Sequence, residues 1–284
     1  MAVSPFLVVP LVLLSAVLHA TWNALVKTGN DRLMALTVVT ATSTVWGFAV
    51  IPFVPLPAPA SWPFIAMSVI AHSGYYIFLL LAYRHGDLSH VYPLARGTAP
   101  LLVALSATVV AGEMLALGQW AGVLLVSVGI ASLALDRGLP RGREGKAVRY
   151  AIMTGLCISS YTVIDGLGVR LSGHALAYIS WMFAIEGLPL VAAAFLTRAD
   201  RIRALSRPDW VRSVGGGLIA TVGYAIAIWA MSVAGLAQIT ALRETSVIFG
   251  AAIGALILGE RFGGRRIAAA ALVAAGNLML HLMR

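Results

Sequence analysis

Charge is scarce in this 284-residue chain. Its 20 basic and 11 acidic residues make up 11% of the sequence, against roughly 25% in ordinary globular domains. Hydrophobic residues reach 60%, and mean hydropathy is +0.91. So few charges cannot cover so much apolar surface in water, which excludes a soluble fold and leaves an all-α integral membrane protein. Cysteine is nearly absent: Cys157 stands alone, so no intramolecular disulfide forms, and no Cys/His cluster has metal-ligand spacing. No Lys or Arg precedes Lys27, so the first apolar run reads as a retained span, not a cleaved signal. Sequence motifs of hydrolases, zinc peptidases and phosphate-cradling loops are missing as well. No cofactor is expected.

What is present is a series of apolar runs. A membrane-crossing helix needs about 20 mostly apolar residues. Ten segments qualify: 5–26, 33–54, 62–83, 88–111, 115–135, 148–169, 174–197, 210–233, 236–258 and 264–283. The uncharged PLPAPAS at 55–61 reads as a stiff turn, and no connection has room for a soluble domain. Ten crossings put both ends of the chain on one side.

The net charge of +9 suggests nucleic acid until its distribution is followed. Lys27, Arg32 and Arg84, five basic residues from Arg137 to Arg149, five from Arg198 to Arg212, and Arg261, Arg265 and Arg266 all fall on one face. Arg170 and Arg284 lie on the other, while Arg96 and Arg243 lie within spans. Basic short loops mark the cytoplasmic side. Both termini are therefore expected outside, in a bacterial inner membrane, with the lipid bilayer as a partner and no nucleic acid.

The chain also matches itself at an offset of about 147 residues. Arg96-Gly97-Thr98 faces Arg243-Glu244-Thr245, Gly112-Glu113 faces Gly259-Glu260, and Ala121, Leu125, Val126 and Gly129 face Ala268, Leu272, Val273 and Gly276. The expected organisation is a first five-span repeat at 1–135, a basic cytoplasmic linker at 136–147 and a second five-span repeat at 148–284. Five is odd, so the two copies are inverted, an architecture common in secondary transporters that work by alternating access.

With HATWNALVK at 19–27 and the two Gly-Glu pairs, the chain resembles the drug/metabolite transporter superfamily, in its ten-span EamA branch. The resemblance covers essentially the whole length. It implies a central cavity lined mainly by spans one, three, four, six, eight and nine, with spans five and ten as packing elements. It also implies export of amino acids or other small metabolites. The opening segment is similar, more faintly, to a sub-branch associated with phosphonate utilisation.

Charges inside spans are costly and normally face a cavity or a partner. Arg96, bracketed by Pro93 and Pro100, and Arg243 have the planar fork that suits carboxylate or phosphonate. For each, the alternative is an internal ion pair, such as Arg243 with Glu244 or Glu186. His72, Tyr75, Tyr76 and Leu79 form a stripe along span three, suited to a substrate ammonium or ring. His19, Trp22 and Asn23 share one face of span one, where hydrogen bonding to neighbouring helices is the alternative role. Tyr92 shares a face with Arg96. Tyr161, Tyr224 and Trp229 are candidate opposing walls. Glu186, at the centre of span seven before Pro189, is read either as a carrier of coupling protons or as a neutral packing group. Asp165, nearer the outer end of span six, is a gating or pairing candidate, and Glu244 is a separate coupling or gating candidate. Glu113 and Glu260 read as structural terminators. Lys27 reads as an interfacial anchor, and His90 and His174 as interfacial groups.

These residues point first to a secondary transporter of small zwitterionic or anionic metabolites, with amino acid export as the leading expectation and Arg96 holding the carboxylate. The alternatives are a phosphonate or phosphate-ester carrier using both arginines and a histidine, and a membrane-embedded enzyme. Oligomeric state is left open.

Overall fold

The computed structural model describes residues 5–27, 31–85, 88–134, 144–256 and 263–282. The regular structure of these residues is all helical, without strands among them. In chain order the helices are α1 (Pro5–Lys27), α2 (Arg32–Val50), α3 (Trp62–His85), α4 (Leu88–Val110), α5 (Leu117–Ser132) and α6 (Glu144–Leu171). There follow α7 (Ala175–Glu186), α8 (Leu188–Arg203), α9 (Arg207–Val233), α10 (Leu236–Arg243), α11 (Ser246–Leu256) and α12 (Gly264–Leu282). Among the described residues, 8 helical stretches are long and apolar enough to cross a membrane, and Leu117–Ser132 is a shorter apolar helix. Two of these stretches are broken: Ala175–Arg203 holds α7 and α8, and Leu236–Leu256 holds α10 and α11.

Local chemistry sets the ends. Asp31 caps α2, its carboxylate accepting from the amides of Leu33 and Met34 at 3.1 and 3.2 Å. Ser206 accepts from the Asp209 amide at the start of α9, and His174 Nδ1 accepts from the Ala177 amide at the start of α7. Such caps satisfy amides that have no partner inside the helix. Gly112 and Gly173 take φ of 66° and 72° just beyond α4 and α6, a left-handed turn that costs glycine least. The PLPAPAS segment is a short extended stretch running into a single 3-10 turn, Pro59–Ser61.

Sidedness is inverted relative to a soluble bundle. On α3, Ile70 and Ile77 point outward at 72% and 56% exposure, while Ser68, His72 and Tyr76 are buried. Val109, Phe48 and Leu105 are likewise exposed. An aliphatic exterior around a polar, aromatic interior is what contact with lipid selects.

Helix pairing positions the interior. α3 packs on α6, α1 on α9, α4 on α6, α2 on α7 and α9, and α5 on α12. The α5–α12 seam is close because glycines line it. A Cβ on Gly122 would meet the Gly276 carbonyl oxygen at 2.6 Å, and one on Gly276 would meet the Gly122 oxygen at 2.5 Å. Gly129 lies against Ala269 and Val273 in the same seam. Across α1 and α9, the Ser15 hydroxyl donates to the Gly223 carbonyl at 2.6 Å. Small residues and hydroxyls of this kind are the usual cement between helices in lipid.

Candidate functional site

The breaks in two helices fall at one cavity. Glu186 is the last residue of α7, and Gly187 separates it from α8, which has Pro189 in its first turn. Gly187 sits so tightly on Thr40 and Thr44 of α2 that a Cβ there would overlap them. Arg243 is the last residue of α10, and Glu244-Thr245 form a turn before α11. Irregular backbone at membrane depth is tolerated where it lines a cavity.

That cavity measures about 130 Å³. This is near the roughly 150 Å³ of a void that holds benzene and below the roughly 300–1,000 Å³ of drug-sized sites. Its wall takes His19, Trp22 and Asn23 from α1, His72, Tyr75, Tyr76 and Leu79 from α3, and Tyr92 and Arg96 from α4. Tyr161 comes from α6, Glu186 from α7, Tyr224 from α9 and Arg243 from α10. The cavity therefore lies toward the end of the bundle where α1 finishes and α4 begins.

Aromatic rings form a continuous lining. The His72 ring stacks on Tyr161 with centroids 4.0 Å apart, and Tyr224 meets both edge-on at 6.0 Å. Tyr75 meets Tyr76 and Tyr161 in the same manner. The Arg243 guanidinium carbon lies 5.1 Å from the Tyr224 ring centre, within cation–π range. On α1, Trp22 Nε1 donates to His19 Nδ1 at 3.3 Å, and Asn23 donates to the His19 carbonyl oxygen at 2.7 Å.

The charged groups sort into paired and unpaired. Arg96 forms an ion pair with Glu244 at 2.8 Å, and the two side chains are 9% and 3% exposed. The sequence offered Glu244 or Glu186 as partners for Arg243; the structure gives Glu244 to Arg96 instead. Among the described residues Arg243 has no ion pair, and its Nε is buried without a hydrogen-bond partner, as is His19 Nε2. Glu186 receives one hydrogen bond, from the Tyr76 hydroxyl at 3.3 Å.

Asp165 and Glu244 stand behind the cavity wall, not in it. Asp165 is fully buried and accepts from the Tyr178 and Tyr224 hydroxyls at 3.1 and 2.8 Å. It holds the wall in place instead of standing open at a helix end. Trp229 is also outside the wall, packed in the apolar clusters with Met231, Ile228 and Phe183. The side chains of Lys27 and His90, and the whole of Glu260, lie outside the described residues.

Two contributors have no counterpart in the expected lining. From α2 come Leu36, Val39, Thr40 and Ser43, a stripe at helical spacing that composition alone cannot tell from packing. From α7 come Phe183 and Glu186. The wall therefore includes spans two and seven besides the six that the resemblance implies.

A second polar cluster closes the opposite end of α4. Glu113 accepts from the Leu236 amide through both oxygens, at 2.9 and 2.8 Å, at the very start of α10. Arg170, at the end of α6, donates to Glu113 at 2.9 Å and to the carbonyl oxygens of Met231 and Ala234 at 2.9 and 2.8 Å. A carboxylate on an N-terminus and a guanidinium on C-terminal carbonyls both match the helix dipoles.

Comparisons with known proteins bear on the family and the fold. Residues 145–282 match the model of the EamA-like transporter family. An uncharacterized transporter of Archaeoglobus fulgidus is 26% identical over 246 residues, covering 83% of this chain and 84% of that protein. A protein of known crystal structure shares the fold, with a TM-score of 0.79 and 20% identity over 97% of this chain and 99% of the other. The second half of the chain, residues 145–282, is thus similar to the EamA-like transporter family.

Proposed function

We propose that this protein is a ten-span secondary transporter that moves small amino acids or related metabolites outward by alternating access between two inverted five-helix halves, 1–135 and 148–284. The observation that carries the reading is Arg243. It is a guanidinium in the wall of a small, aromatic-lined cavity, over the Tyr224 ring and with no carboxylate paired to it among the described residues. A charge placed so deep at a cost of about 2.5–3.5 kcal/mol calls for an anionic partner, and the substrate supplies it. This moves the carboxylate anchor from Arg96, which is occupied by Glu244, to Arg243.

Pairing across the bundle supports the two-half reading. Advancing or retreating by about 147 residues turns the α3–α6 contact into α9–α1, and the α4–α6 contact into α10 and α11 on α1. The same shift turns the contact of Gly129 with Ala269 and Val273 into that of Gly276 with Gly122 and Val126. The family match begins at residue 145, inside the linker. The basic loops assign the cavity end to the cytoplasm and the Glu113–Arg170 end to the outside, which suits a carrier that loads from within.

A second reading, phosphonate or phosphate-ester exchange, draws on the unpaired Nε2 of His19 beside Arg243. Counterflow in proteoliposomes separates the two. Unlabelled solute is loaded, and entry of labelled neutral and aromatic amino acids, a basic one, 2-aminoethylphosphonate and a triose phosphate is followed. Saturable accumulation of an amino acid is expected and should vanish in Arg243→Gln. Accumulation of phosphorus compounds alone favours the second reading, and no accumulation of any refutes transport of this substrate class.

A further inference from the structure

Resting on the transport reading, we propose that Glu186 is the second pole of the site: it receives the ammonium of a zwitterionic substrate whose anionic group lies at Arg243. Among the described residues Glu186 is the one carboxylate in the cavity wall. The other two buried carboxylates nearby stand behind the wall and are engaged. Asp165 holds two tyrosine hydroxyls, and Glu244 holds Arg96. Glu186 is 5% exposed and has only the long hydrogen bond from Tyr76, with no ion pair among the described residues.

Among the described residues the wall thus holds one cation, Arg243, and one anion, Glu186, without a counter-ion, while its other arginine, Arg96, is held by Glu244. Their origin is different in the two halves of the chain. The residue matched to Glu244 in the first half is Gly97, whose Cβ would lie 2.8 Å from the Ala131 amide nitrogen of α5. No side chain fits there, so Arg243 lacks the partner that Arg96 enjoys. Glu186 faces inward because α7 stops at it, with Gly187 pressed against Thr40 and Thr44.

A desolvated charge without a partner is costly, and an opposite charge brought to it relieves that cost. A ligand carrying both charges relieves both poles at once. A simple carboxylate or phosphate relieves Arg243 alone and leaves the carboxylate of Glu186 facing another negative charge. Tyr76, bonded to Glu186, and Tyr75 packed on it, with Tyr161 in the same wall, offer ring faces that add to the attraction for an ammonium. The ligand class is therefore an ammonium-bearing small acid, either an α-amino acid or an aminoalkylphosphonate. Mere acids of the same size are excluded.

The test is counterflow with matched pairs that differ only in the amine: phenylalanine against 3-phenylpropionate, and 2-aminoethylphosphonate against ethylphosphonate. The wild type should prefer the amine-bearing member of at least one pair by about tenfold or more, roughly the worth of 1.4 kcal/mol. The pair in which the preference appears tells carboxylate from phosphonate. Glu186→Gln, a neutral isostere, should reduce that preference to about twofold, with a rise in KM for the amine-bearing member. Equal transport of both members by the wild type overturns the proposal and leaves the transport reading standing. That comparison needs no variant to fold. Retention of the preference in Glu186→Gln also overturns it, including the case in which only a pH dependence is lost and Glu186 is a proton carrier. Failure of the wild type to accumulate any compound refutes the transport reading itself.

Discussion

Arg96 and Glu244 close on each other at 2.8 Å between α4 and the turn that ends α10, each almost wholly removed from solvent. The pair crosses the two halves of the chain, and it has no mirror image. Arg243 stands where a second such pair would need a carboxylate, and Gly97 is there instead. Both arginines line the cavity, but Arg96 is held by a carboxylate and Arg243 has none paired to it among the described residues.

The two arginines should therefore fail differently. Arg96→Gln strands the Glu244 carboxylate and should lower stability by about 3–5 kcal/mol. Arg243→Gln strands nothing and should unfold near the wild type while transport is lost. Unfolding in detergent, read beside counterflow, checks both. Equal stability of Arg96→Gln and the wild type would remove the structural role given to the pair.

Asp165 depends on hydroxyls alone. Tyr178→Phe and Tyr224→Phe each remove one donor from a fully buried carboxylate, at an expected cost of about 1–3 kcal/mol. The double variant should cost more than the sum, because the second loss removes the last tyrosine donor and leaves Ser68 to serve the carboxylate. A double-mutant cycle on thermal unfolding measures this coupling.

The α5–α12 seam has no spare room. Gly276→Ala drives a methyl group into the Gly122 carbonyl and should cost about 1–3 kcal/mol by overpacking. KM for any transported solute should stay unchanged, since neither helix lines the cavity. A changed KM would show that the seam communicates with the site.

At the far end, Glu113→Gln weakens charge-assisted bonds to the Leu236 amide and to Arg170. Such bonds contribute about 1.5–3 kcal/mol, so amide exchange in the first turn of α10 should quicken by about 10- to 100-fold. Hydrogen exchange read by mass spectrometry over residues 236–243 tests it. Unaltered exchange would mean that the carboxylate does nothing to hold that end shut.

Much of this was legible in the sequence because a bilayer imposes simple demands. Each apolar run of the required length overlies a helix, or a broken pair of helices, in the described residues. The α3 stripe was legible because His and Tyr are conspicuous among aliphatic neighbours. The break after Glu186 had a signal in Pro189, but the turn at Glu244-Thr245 had none, since hydropathy carries no information on backbone angles. Thr40 and Ser43 on α2 were invisible because the same residues serve equally well as helix cement. The partner of each arginine was illegible for another reason. It depends on how far α4 and α10 are rotated against each other, and spacing along one chain does not encode a rotation.

The closure around Glu113 and Arg170 has a property that the cavity lacks. Its remaining partners are backbone groups: the amide of Leu236 and the carbonyls of Met231 and Ala234. Side chains on α9 and α10 can therefore drift without loosening it, and two positions alone set its strength. On the alternating-access reading proposed above, substitutions at those two residues alter how often the carrier turns over, while recognition, which that reading assigns to side chains at the other end, is left untouched. On that reading, speed and choice of cargo are separately adjustable.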